Sequence, residues 1–143
     1  YIIIDTHPDF STSTRNAIVV SHKVISPNKP SGFSDDSNSN IEYRINKLKN
    51  DLIDFKTRES YVTAELYYVG NMVKHNTNSS NQFIDEMNEN NKYITYFPDK
   101  ELITKSVLDK KSIVEFLEDK NTFNKEKLFF NDFIKSCEVI KES

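Results

Sequence analysis

The sequence is poor in cysteine and glycine, and these shortages exclude several kinds of site. The single cysteine, Cys137, excludes an internal disulfide and a cysteine-based zinc site. The two glycines, Gly32 and Gly70, lie far apart, so the sequence holds no glycine-rich loop of the kind that cradles phosphates. No run approaches the ~20 apolar residues that span a bilayer. We therefore expect a cytoplasmic protein without a membrane partner, in which Cys137 is a packed thiol on a helical face.

Length and charge narrow the class of protein further. The 143 residues suit a single domain over 1–143, and ten Phe and seven Tyr can supply its core. The net charge of −3 provides no global basic field for nucleic acid. Any contact with nucleic acid must therefore come from a local patch.

The apolar patterns predict an α/β fold, a mostly parallel sheet flanked by helices. The run Ile2–Ile4 is β-branched and does not alternate with polar residues, which is typical of a strand covered on both faces. Asp5 then stands at the carboxyl end of that strand, where open α/β sheets bind their ligands.

Further patterns predict the remaining elements. Three more strands are expected, at Lys23–Pro27, Leu66–Val73 and Tyr93–Phe97. A loop is expected from Asn28 to Asn40. One helix is expected after the capping residues in 9–14, and two more after the capping pairs Ser79/Gln82 and Ser112/Glu115. Another should follow the apolar series Ile41, Ile45, Leu48, Leu52 and Phe55. The last is expected from Lys125 to Ile140, with Phe130, Phe133, Ile134 and Cys137 buried.

Several of these segments together resemble the ParA/MinD-type partition ATPases, the Soj-like family with a deviant Walker P-loop. The segments are Asp5-Thr6-x-Pro8, Thr14-x-Asn16-Ala17, the strand with Pro27, Val69–Val73, Tyr96–Pro98, and Glu101-Leu102 through Val114–Phe116. Their order and spacing match the carboxyl-terminal part of such an ATPase over most of the chain. The resemblance implies an incomplete P-loop NTPase-like fold.

The resemblance implies roles for three residues in binding ATP and Mg²⁺. Asp5 would help hold Mg²⁺ through water, as the catalytic and metal-binding carboxylate, whereas the alternative is an aspartate that only ends a strand or caps a helix. Asn71 would offer its amide to the adenine edge, and Pro98 would pack its ring on the base. Both could instead be ordinary strand-end residues.

The resemblance also implies partners. The full protein would form an ATP-bridged homodimer, bind DNA without sequence preference, respond to a ParB-like centromere-binding protein, and associate with the nucleoid. The candidate DNA contacts are basic residues that would meet phosphates: Lys74, His75, Lys105, Lys110 and Lys111. The alternative is a solvated charge cluster.

The family's phosphate loop is absent from this sequence, as is an initial methionine. We therefore expect that an amino-terminal portion has been lost and that this chain alone does not hydrolyse ATP. Two other classes of function stay open. One is a receiver-like signalling module with Asp5 as phosphoryl acceptor, although no acidic residue precedes Asp5 and Lys29-Pro30 comes early in the chain. The other is a degenerate nucleotide-fold fragment that pairs with another chain.

Overall fold

The computed structural model describes residues 1–7, 9–30 and 34–143, and the side chains of all of these except 34–37. Helices and strands alternate over most of the chain. In order they are α1 Thr12–Val20, β1 Lys23–Asn28, α2 Ser34–Asp51, β2 Glu65–Val73, α3 Asn78–Glu89, β3 Tyr93–Pro98, α4 Glu101–Asp109, α5 Ile113–Leu117, α6 Lys120–Lys125 and α7 Lys127–Glu142.

Within the described residues the strands form a three-stranded sheet in the order β1-β2-β3, so β2 is central. β2 runs parallel to β3, with Tyr68 opposite Tyr93 and Gly70 opposite Tyr96. A parallel pair needs a crossover, and α3 lies between these two strands in the chain. The predicted α/β fold, a parallel sheet flanked by helices, is confirmed.

The chain groups into two compact units. The first comprises 1–26 and 32–67, and the second comprises 27–31 and 68–143. The core of the first unit joins Ile18 of α1 to Ile45 and Leu48 of α2. These α2 residues follow the three-residue spacing of one helical face, which explains why the amphipathic pattern predicted the helix. Val62 and Ala64, just before β2, complete this core.

The second unit holds two apolar clusters. Val73 of β2 packs with Phe83 and Met87 of α3. The other cluster is formed by helices and is rich in phenylalanine: Ile113, Phe116, Phe129 and Phe130 are its buried members. The aromatic residues therefore supply much of the core of this unit, as their large apolar area favours.

The predicted first strand is wrong. Residues 1–7 form no helix or strand, and Ile2 and Ile3 are each 93% exposed. β-branched residues favour an extended backbone, but a strand also needs a hydrogen-bonded neighbour, which propensity alone does not supply. Asp5 therefore does not stand at the end of a buried strand.

The predicted loop at 28–40 is wrong from Ser34 onward, because α2 begins there; residues 31–33 lie outside the described part. The helical series also ends earlier than expected. α2 stops at Asp51, and Phe55 is 86% exposed in the loop that follows. The Asp and Asn residues of 35–40 suggested a loop because they favour turns, yet packing of the apolar face of α2 outweighs that preference.

Two local predictions in the second unit are also wrong. Thr77, and not Ser79, caps α3, since its hydroxyl accepts a hydrogen bond from the Ser80 N–H at 3.3 Å. Cys137 and Ile134 are exposed, because the buried face of α7 carries Phe129, Phe130 and Ser136. By contrast, the Ser112/Glu115 capping box of α5 and the three strands after residue 22 are confirmed.

Candidate site at the carboxyl ends of β2 and β3

The parallel pair β2–β3 carries a bulge at its carboxyl end. Gly70 pairs with Tyr96 and Val73 pairs with Pro98, so β2 has one more residue than β3 over this interval. Met72 lies in the bulge with a φ of 57°, a left-handed conformation that residues other than glycine seldom adopt. Bulges of this kind redirect side chains and are common next to functional sites.

The bulge determines where Asn71 and Pro98 lie. Asn71 directly precedes Met72 and is half-buried, and Pro98 is the half-buried last residue of β3. After Pro98, the Asp99 N–H donates to the Val73 carbonyl at 2.9 Å and closes the end of the strand pair. The structure therefore places both predicted adenine-binding residues at the same end of adjacent strands. Their contact with a nucleotide stays a prediction.

The turn between β2 and α3 positions Lys74 and His75. The Lys74 N–H donates to the Ser80 hydroxyl at 3.1 Å, and Ser80 is 1% exposed. The Thr77 hydroxyl donates to the same Ser80 oxygen at 2.8 Å. These bonds tie the turn to the first residues of α3. The side chains of Lys74 and His75 are exposed beside the end of β2.

The other predicted DNA contacts belong to α4 and the residues that follow it. Lys105 places its ammonium 5.7 Å from the centre of the Phe116 ring, a cation–π contact that ties this side chain to α5. Lys110 ends the helix with a φ of 52°, and the Lys111 N–H donates to the Ser106 carbonyl at 3.0 Å. A single residue in the left-handed conformation thus ends α4, and the side chains of both lysines remain exposed.

Asp5 is exposed, and within the described residues its carboxylate takes part in no hydrogen bond or ion pair. The nearby carboxylate of Asp9, by contrast, accepts hydrogen bonds. It accepts a hydrogen bond from the Ser11 N–H at 3.3 Å and one from the Thr14 hydroxyl at 3.3 Å, ahead of α1. Hydrogen bonds from Ser11 lower the pKa of Asp9. The sequence contained a signal for this role, the helix-capping composition of 9–14. Pro8 lies outside the described residues.

Taken one by one, Asn71 and Asp5 carry the types of donor atom that their predicted roles require. The amide of Asn71 can both donate to and accept from an adenine edge, and the free carboxylate of Asp5 suits a water-coordinated hard cation. In the part of the chain that the structure describes, no three His, Cys, Asp or Glu residues gather into a metal site. This sequence contains no glycine-rich loop whose backbone N–H groups could bind the phosphates of ATP.

The sequence matches no protein-family model and no curated protein. The fold, however, resembles that of a plasmid partition protein from Borrelia burgdorferi, with a TM-score of 0.57 and 14% sequence identity. The superposition covers 94% of this chain and 46% of that protein. The likeness is one of fold. The chain thus spans less than half of the length of the partition protein that it resembles.

Among the described residues, none of the helices is both long enough and apolar enough to pass through a bilayer.

Proposed function

We propose that the chain is the carboxyl-terminal part of a ParA-like partition ATPase that acts in DNA segregation. The observation that carries the proposal is the fold-level likeness to a plasmid partition protein over 94% of this chain. The ordered segments that resemble the ParA/MinD-type ATPases support it independently. No observation on the described residues favours the receiver-like alternative.

In the proposed protein, Asn71 and Pro98 bind the adenine of ATP. The support is their position at the same end of adjacent strands, Asn71 in the bulged stretch of β2 and Pro98 opposite Val73 in β3. Asp5 contributes a carboxylate to the water shell of Mg²⁺. The phosphates are bound by a glycine-rich loop encoded outside this sequence, so this chain alone does not hydrolyse ATP.

The proposed DNA contacts are Lys74 and His75 after β2, together with Lys105, Lys110 and Lys111 around the end of α4. Bound ATP holds two copies of the full protein together, and the dimer binds DNA through phosphate contacts without sequence preference. A ParB-like partner then stimulates hydrolysis. These steps belong to the full protein. The chain supplies the carboxyl ends of β2 and β3 and the basic side chains named above.

The codons upstream of Tyr1 provide the first test. A reading frame that encodes a glycine-rich loop ending in Lys and Ser or Thr supports the proposal. A reading frame without such a loop contradicts the ATPase assignment.

The second test measures ATP binding by the full gene product with a fluorescent ATP analogue. We expect Asn71→Ala to weaken binding about tenfold, the effect of losing hydrogen bonds to a bound ligand. Asn88→Ala, on the exposed face of α3, is the matched control and should leave the affinity unchanged. Equal affinities of the wild type and both variants would remove Asn71 from the nucleotide site.

The third test measures how tightly the full gene product binds double-stranded DNA at a series of salt concentrations. Lys111→Gln should lower the affinity for every sequence and reduce the log–log salt slope by about 1, since one phosphate contact is lost. Lys29→Gln removes the same charge from an exposed position outside the predicted contacts. A slope that changes equally in both variants would indicate a diffuse charge effect and contradict a contact at Lys111.

A further inference from the structure

The first unit contains a basic groove that no predicted site includes. The groove has a volume of about 390 Å³ and lies between the start of α1 and the exposed side of α2. Three of its lining residues are cationic: Arg15 of α1, and Arg44 and Lys47 of α2. Within the described residues, no ion pair engages any of these cations. The groove thus concentrates positive charge on a chain whose net charge is −3.

Arg44 is held in place by two neighbours. Its guanidinium lies 5.4 Å from the centre of the Phe10 ring, and its Nε donates to the Asn40 Oδ1 at 2.6 Å. With Nε occupied, the remaining N–H groups of the guanidinium are left to bind an anion, for which their planar arrangement suits a carboxylate or a phosphate. Because the side chain is already ordered, less conformational entropy is lost when it binds a ligand.

Lys47 and Arg44 are three residues apart on α2, so their β-carbons are about 5–6 Å apart on one helical face. Carboxylates at alternate residues of an extended peptide lie at a similar spacing, about 6–7 Å. Along α2 the groove runs from Asn40 to Asp51, a distance of about 16 Å at the helical rise, which corresponds to about five residues of extended chain.

The remaining lining favours a peptide over a nucleic acid. Asp51 closes one end of the groove with a negative charge, which repels a continuous chain of phosphates but tolerates a neutral or basic peptide residue. Phe10 and Leu48 add apolar wall, and Tyr43 is 67% exposed at the groove. Exposed tyrosine and ordered arginine are the residue types that dominate binding at protein interfaces.

We propose that this groove binds a short acidic segment of a partner protein, with Arg44 and Lys47 pairing to two of its carboxylates and Phe10 and Tyr43 contacting an apolar residue between them. This site is distinct from the proposed nucleotide and DNA contacts, which all lie outside α1 and α2. Its test is therefore independent of theirs.

The test is fluorescence anisotropy with the 143-residue chain and a labelled peptide of three Glu-Asp-Leu repeats. A peptide of Gln-Asn-Leu repeats is the neutral probe. We expect saturable binding of the acidic peptide and at least about tenfold weaker binding by Arg44→Gln and by Lys47→Gln, the effect of one charge-assisted hydrogen bond. Lys49→Gln removes one charge from the same helix outside the groove lining and should change the affinity by less than about twofold. Circular dichroism checks that all variants are folded.

Three results would overturn the proposal. They are the absence of saturable binding, an equal loss of affinity in Lys49→Gln, and equal binding of the neutral peptide. A fourth result would change the kind of partner. It uses a single-stranded DNA oligonucleotide of the same charge as the acidic peptide as the competing probe. Tighter binding of the oligonucleotide to the wild-type groove, lost in Arg44→Gln, would instead identify a phosphate site.

Discussion

Gly70 of β2 faces Tyr96 of β3 so closely that a β-carbon added to the glycine would lie 2.6 Å from the Tyr96 Cβ. The same β-carbon would lie 3.0 Å from Met87 Sδ and 3.1 Å from Phe83 Cε1. A bare glycine therefore lets α3 and β3 both approach β2 directly before the bulge at Met72. The close packing of β3 and α3 on β2, next to Asn71, depends on this approach.

Gly70→Ala should destabilise the protein by about 1–3 kcal/mol, since the added methyl group overpacks a filled site. Urea unfolding followed by circular dichroism measures the change. Tyr96→Gly in the same chain removes the β-carbon that is closest to the new methyl group. We therefore expect the cost of Gly70→Ala to be smaller in that background, and an unchanged cost would show that Tyr96 does not limit the space.

Thr77→Ala should lower the free energy of unfolding by about 1 kcal/mol, because the mutation removes the side-chain cap of α3. The Ser80 N–H loses its acceptor, and the buried Ser80 hydroxyl loses one of its hydrogen bonds. Ser79→Ala, in the same turn of the helix, should have almost no effect. If Ser79→Ala were the more damaging variant, the cap would be the one that the sequence predicted.

Ser136→Ala should destabilise the packing of α7 on β3 by about 1–3 kcal/mol, the cost of leaving buried polar groups unpaired. The Thr95 hydroxyl donates to Ser136 Oγ at 2.7 Å, and Ser136 Oγ donates to the Tyr96 carbonyl at 3.2 Å. Combining the mutation with Thr95→Val removes both partners of the first bond. The double variant should therefore lose less than the sum of the two single changes, and strict additivity would argue against the bond.

Protonation of Asp54 should lower the free energy of unfolding at acidic pH. Its carboxylate accepts hydrogen bonds from the Thr57 N–H, the Tyr61 hydroxyl and the Lys56 N–H, which lower its pKa from 3.8 to about 2. Since the folded pKa lies below the unfolded value, the stabilisation is complete above about pH 4 and is lost as the pH falls through 2. A carboxyl titration by NMR measures this pKa directly.

Tyr61→Phe provides the matched change for that titration. The variant loses the hydroxyl that donates to Asp54 at 2.7 Å but keeps the two backbone donors. We expect the pKa of Asp54 to rise only part of the way to 3.8, because the Thr57 N–H makes the largest contribution. A pKa that is the same in both proteins would contradict the Tyr61 contribution.

Part of the candidate site could be predicted from the sequence. The apolar segments Leu66–Val73 and Tyr93–Phe97 located β2 and β3, so Asn71 and Pro98 were expected near strand ends and are found there. The bulge beside them was not predictable, because it is a mismatch in register between two strands and Met72 carries no local signal for a left-handed conformation. The basic groove was not predictable either, because Phe10 and Arg15 belong to a different segment of the chain from the α2 residues that line it.

Sequence alone determined the elements whose signals are local. Helical periodicity located the middle of α2 but neither of its ends. The capping pair Ser112 and Glu115 located the start of α5. Only the tertiary structure decided the features that need a distant partner. Ile2–Ile4 have the propensity for a strand but form none among the described residues, and the basic groove exists only because two separate helices converge. Local preference acts over a few residues, whereas strand pairing and groove formation depend on which segments come together.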